Sequence, residues 1–148
     1  MALKQVFVTP LTGVYASTQP DQDNLGDIRM ENGNFYKYVK FTGTTTVAAG
    51  DVVCYTTAGD GLTVDAANTD SAAGVAMAAV ASGTVQYGWI QIKGLATMST
   101  ALGSGAAGQG LMSHGASNKT LLIQTAGYPI VATVCVAATP TIWCDFPF

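Results

Sequence analysis

The side chains with reactive chemistry are few and stand apart from one another. The chain of 148 residues has one histidine, three cysteines and nine acids. A Ser-His-acid set would have to recruit His114, in the turn-like "MSHGAS", with an acid that nothing in the sequence places beside it. Cys54 lies in "DVVCYTT", a strand-like run in which a thiol is ordinarily a buried small hydrophobe, not a nucleophile. Cys54, Cys135 and Cys144 are odd in number and lack a CxxC spacing, so neither a zinc site nor a disulfide framework is implied, and free thiols fit synthesis in a cytosol.

Three further motifs match by letter only. "GSGAAG", from Gly103 to Gly108, has the GxGxxG spacing, but "QGLMSHG" follows instead of a helix and the next acid is Asp145, so a hairpin loop is expected. "DQDNLGD" puts Asp21, Asp23 and Gly26 at calcium-loop positions, yet Leu25 replaces a ligand and Asn32 stands where a bidentate Glu belongs. "NKT" at Asn118 fits a glycosylation sequon, although "MALKQVFVTPLTG" has no apolar stretch of the kind that directs export. The expectation is a protein that is not an enzyme and holds no metal or cofactor.

Composition turns the question from chemistry to surfaces. Charged residues make up 10% of the chain, against roughly 25% in ordinary domains. From Ser71 to Phe148 only Lys93, Lys119 and Asp145 are charged, so this half must be covered by Thr, Ser, Gln and Gly or by other subunits. The net charge is −3 and the six cations are scattered, which argues against nucleic acid as a partner. The uncharged run from Ser71 to Ile92 is interrupted by Ser82, Thr84 and Gln86 and does not read as a membrane span.

The elements that would carry such a surface are turns and short strands. "AAGDVV", "TAGDGL", "ASGTVQ", "AAGQGL" and "TAGYPI" each read as a turn with a glycine at positive φ leading into a strand. Between them, Phe35 to Phe41, Val52 to Thr56, Val85 to Ile92, Leu121 to Gln124, Ile130 to Val136 and Thr141 to Phe146 alternate or are rich in β-branched residues. "SAAGVAMAAVASG" has alanine propensity for a helix, but Gly74 and the lack of an apolar stripe favour a strand. The glycine turns have no fixed period, so a solenoid is not implied. The fold class expected is all-β: one small antiparallel barrel or sandwich over residues 35–148, preceded by an extended N-terminal arm over residues 1–34. Pro10, Pro20, "DQDN" and "ENGN" break every candidate element in that arm. Its apolar residues Leu3, Val6, Phe7, Val8 and Leu11 would be costly to leave in water, so they are its candidate contact residues.

In "YGWIQIKG" the isoleucines, Ile90 and Ile92, share one strand face, and Trp89, Gln91 and Lys93 share the other. A β-bulge at Gly88 would put Val85 and Tyr87 on the core face with the isoleucines and turn Trp89 outward; without it, Trp89 would join Val85 and Tyr87 in the core. "TIWCDFPF" repeats the pattern, with Trp143 out of step with Ile142 and Cys144. Trp89, Gln91, Lys93, Trp143 and Phe148 are the candidate interface residues, with a tryptophan tucked under a loop of its own domain as the alternative for Trp89.

The arm, "FYKYVKFTGTTTVAAGDVVCYTTAGDG" and "AAGVAMAAVASGTVQYGWIQIKGLATM" together resemble small tailed-phage structural proteins, the capsid decoration or cement proteins with a β-barrel body. The resemblance covers Phe35 to Gln124, and the Trp/Phe-rich ending departs from it. It implies a virion protein on the outer capsid surface that binds the major capsid protein as an oligomer, commonly a homotrimer, with its arm over neighbouring subunits. A tail- or fibre-associated adhesin presenting the same neutral surface to host glycan is the alternative, and a small hydrolase using Cys54 or His114 ranks below both.

Overall fold

The computed structural model describes residues 7–16, 22–56, 60–66, 71–102, 105–112, 119–125, 127, 129–136 and 139–147. These residues are all-β, without a helix, in eleven strands: β1 (Val14–Ala16), β2 (Ile28–Glu31), β3 (Asn34–Phe41), β4 (Val52–Tyr55), β5 (Thr63–Asp65), β6 (Ala72–Ala76), β7 (Gln86–Thr97), β8 (Gly110–Met112), β9 (Leu122–Ile123), β10 (Ala132–Val136) and β11 (Thr141–Asp145). Five of them close a small barrel in the order β3-β5-β4-β6-β7, completed by pairing of β3 with β7. Only β3 and β5 run parallel; the other pairs are antiparallel. Closure matters for so neutral a chain, because within the barrel it leaves none of the open edges that would recruit further strands, and the sheet's remaining ends, β2 and β9, are short.

The alternation read from the sequence sets the barrel wall. Val39 and Phe41 of β3, Val53 of β4, and Ile90 and Ile92 of β7 fill the interior with Val47, Val64 and Ala76. Lys37 occupies the same inward row of β3, opposite Ile90. It is buried, and its ammonium leaves the apolar interior by donating to the Gly61 carbonyl (2.8 Å) and the Tyr55 hydroxyl (3.1 Å), with the Tyr55 ring below it.

β7 is the strand from which the rest is hung. Its first half pairs with β3, β1 and β6, and from Lys93 onward it pairs with β11, followed in order by β10, β8 and β9. The bend between the halves lies at Gly94, at φ +103, where a Cβ would collide with the Asn34 Oδ1 atom that accepts the Leu95 amide (3.0 Å). The outer sheet thereby folds back over the barrel wall, and Ala96, Leu111, Val134, Ile142, Cys144 and Phe146 pack against Val52, Cys54 and Val75. Burial pushes the Cys144 thiol up to about 12, as expected for an inert core cysteine.

Four of the turn glycines take positive φ as expected, Gly50, Gly83, Gly108 and Gly127. The bulge expected at Gly88 is not there: Gly88 pairs in register with Val39 and with Val14, and the register shifts fall at Phe35/Tyr36, Val53/Cys54 and Val134/Val136. Within the segment read as an arm, β1 pairs with β7 and β2 with β3, so these parts belong to the sheet.

Candidate interaction surface

Without a register slip at Gly88, Tyr87, Trp89 and Gln91 point away from the barrel interior that holds Ile90 and Ile92. Trp89 nevertheless is not at the surface: it is 1% exposed. Its indole packs on Tyr38 (centroids 5.1 Å apart) and meets Phe7 edge to face (5.5 Å), with Tyr36 in the same cluster and Leu11 against it. The expectation of Trp89 as an outward interface anchor is therefore corrected to the alternative, a tryptophan lying under a segment of its own chain. Hiding it there stabilises the fold by on the order of 4 kcal/mol.

Residues 7–11 act as a strap over this aromatic cluster, and polar contacts fix it at one point. The Trp89 indole N–H donates to Thr9 Oγ1 (2.8 Å), and that hydroxyl donates in turn to Asp23. The amides of Val8 and Thr9 donate to the two Asp23 oxygens, each at 3.0 Å, and Arg29 donates to the Thr9 carbonyl (3.1 Å) while lying over the Phe7 ring. Partial burial pushes the Asp23 carboxyl up, but the Thr9 hydroxyl, the two amides and Arg29 outweigh it, and it ionises below the ordinary carboxylate value. Burial, followed by the Asp23 charge, raises the Tyr38 phenol to about 12. Phe7 and Leu11 are thus packed within the chain, whereas Val8 is exposed. Leu3, Val6 and Phe148 lie outside the described residues, as does His114.

Gln91 is also corrected: it is buried, and its amide bridges the bend by donating to the Leu95 carbonyl (2.9 Å). Lys93 reaches the surface and pairs with Asp145, opposite it on β11 (3.2 Å).

Beyond Gly94 the outward row changes character. Leu95 is 51% exposed and Trp143, directly opposite on β11, is 52% exposed. Thr133 follows on β10 and Gly110 on β8. Ile130, itself exposed, lies where a Cβ at Gly110 would stand, which continues the row across a fourth strand. The parallel row below it holds Thr97, Thr141 and the exposed Val136. The result is a sheet face with four large uncovered apolar side chains and one charge pair, Lys93 with Asp145. Of the sequence candidates, Trp143 and Lys93 belong to it. Leu95, Ile130 and Val136 were missed, although "KGLAT" set against "TIWCD" holds the signal: Leu95 and Trp143 fall in one alternation and Ala96 and Ile142 in the other.

A recess of about 340 Å³ lies across β7 from this face, lined by Gly50, Val75, Met77, Gln91, Thr97 and Ser99 among others. The Ser99 hydroxyl beside it donates to buried Asp51, which also caps the turn at Ala48 (2.8 Å) and faces Lys119 (3.6 Å). That carboxylate pins the turn and the approach to β9. Among the described residues no three His, Cys, Asp or Glu side chains group as metal ligands. No family model, curated protein or solved structure matches the chain.

Proposed function

We propose that this is a structural binding protein, without catalysis, that decorates the outer surface of a phage capsid and stabilises the mature shell. The observation that carries the binding reading is the uncovered face of Leu95, Trp143, Ile130 and Val136 on a charge-poor body. The partner, the major capsid protein, comes from the resemblance over Phe35 to Gln124, as does assembly into a trimer. A ligand that binds only the mature lattice stabilises it by about 2.7 kcal/mol per site at a hundredfold excess over Kd, so many modest contacts suffice. Copies joined to one another would add avidity without new contacts.

The test is co-sedimentation with empty, expanded shells assembled from the major capsid protein of the same phage. The expected result is saturable pelleting with the shells, reduced about tenfold or more in affinity by Trp143→Ala. Protein that stays in the supernatant at every shell concentration, while binding host glycan, would favour the adhesin and overturn this reading.

A further inference from the structure

The uncovered face has an internal order that selects a partner. It is built of three cross-strand rows shared by β7 and β11: Lys93 opposite Asp145, Leu95 opposite Trp143, and Thr97 opposite Thr141. We infer that this face pairs with the same face of a second copy about a two-fold axis that runs along the strands between β7 and β11.

The rows carry the argument. Rotation about such an axis keeps each residue's position along the strand and exchanges β7 with β11, so like rows meet across the interface. Lys93 of one copy then lies over Asp145 of the other, and Asp145 over Lys93. Leu95 lies over the Trp143 indole twice, and the threonine rows close the far end. The other face-to-face operator, an axis across the strands, would set the charged row on the threonine row and leave two charges against neutral hydroxyls. Electrostatics therefore chooses between the two. Aligned sheets pack roughly 10 Å apart with their strands within about 30° of one another, a separation that Lys, Trp and Leu side chains span.

The size of the face sets the strength. Three rows on two strands, with flanking Ile130 and Val136, amount to on the order of 300 Å² a side, against about 800 Å² per partner in a stable complex. The pairing is consequently weak in solution, weak enough for a competing partner on the same face to displace the second copy. Because the face that holds a second copy is the one the shell reading uses, the two occupants exclude each other and the pairing belongs to protein free of shells, where purified protein is enough to test it.

The experiment is sedimentation equilibrium of the full chain from about 10 μM to about 1 mM at low salt, a range that brackets weak association. The wild type should show a reversible two-copy equilibrium. Lys93→Asp alone and Asp145→Lys alone should each weaken it by about tenfold or more, and an equimolar mixture of the two variants should restore it. One chain carrying both changes regains the cross-strand pair and should self-associate like the wild type, which controls for folding. Absence of association up to the top concentration, equal association by the single charge variants, or a mixture that fails to recover would each overturn the inference.

Discussion

The two halves of β7 each present an outward row with a tryptophan, and only one row is covered. Before Gly94, Trp89 sits under Phe7 and Thr9, its indole N–H bonded and its ring enclosed by Tyr36 and Tyr38. After Gly94, Leu95 and the Trp143 across from it stand half in solvent. Both rows run through β7 and each holds a tryptophan, Trp89 on β7 itself and Trp143 on β11, but their neighbours differ: the strap reaches the first row, and nothing among the described residues reaches the second. A tryptophan out of step with a strand's core residues therefore signals a second layer and leaves open whether that layer lies in the same chain.

The sharpest way to break this comparison is Trp89→Ala. The cavity it leaves should cost roughly 3–5 kcal/mol of folding stability, the same at every protein concentration. Denaturant melts at two well-separated concentrations check this, and a small loss or one that grows on dilution would mean that the strap is not Trp89's cover.

A middle-sized effect is expected at acid pH. Asp23 ionises below its ordinary value when the strap is docked, so its contribution is complete above the unfolded value of about 3.9 and is lost as pH falls through the lowered folded value. With Trp143→Phe as background, Trp89 fluorescence should shift toward that of a solvated indole over this window, below about pH 4. Replacing Asp23 with Asn should abolish the pH dependence. Arg29, Glu31 and the phenols of Tyr15, Tyr38 and Tyr87 are the other ionisable groups around the strap and its cluster, and the Tyr38 phenol, raised to about 12, stays neutral throughout that range.

The smallest effect on folding belongs to Trp143→Ala. An exposed side chain on the outer row should change folding stability by no more than about 0.5 kcal/mol while weakening binding to shells. Melts and pelleting measured on the same preparation separate the two quantities. A folding loss of several kcal/mol would place Trp143 with Trp89 and erase the distinction between the halves.

Much of the barrel was legible because its determinants are local. Alternation in "NFYKYVKF" and in "IWCD" fixes which side chains face inward, and the glycine of each turn announces its own φ. β1 and β2 went unread because they lie in a segment whose prolines and polar runs look like loop, and each, only three or four residues long, takes its strand character from a longer neighbour; β5 and β8 were signalled only by the turns that lead into them. β7 was read as ending at Ile92, since Lys93 and Gly94 look like a stop. Here the glycine bends the strand instead, and Asn34, far upstream, fills the space it leaves. The polar face of "YGWIQIKG" was read correctly and its cover was not, because Phe7 and Thr9 belong to a segment whose own composition is that of a loop.

The strap has one more consequence, in the order of synthesis. Thr9 and its indole partner are 80 residues apart, so during translation at about 5–20 residues per second the strap waits several seconds for its seat to leave the ribosome. The barrel is not ready sooner, because β7 is its closing stave. Phe7 and Leu11 thus pass through that interval as exposed apolar side chains of the nascent chain, open to chaperones and to neighbouring chains on the same messenger.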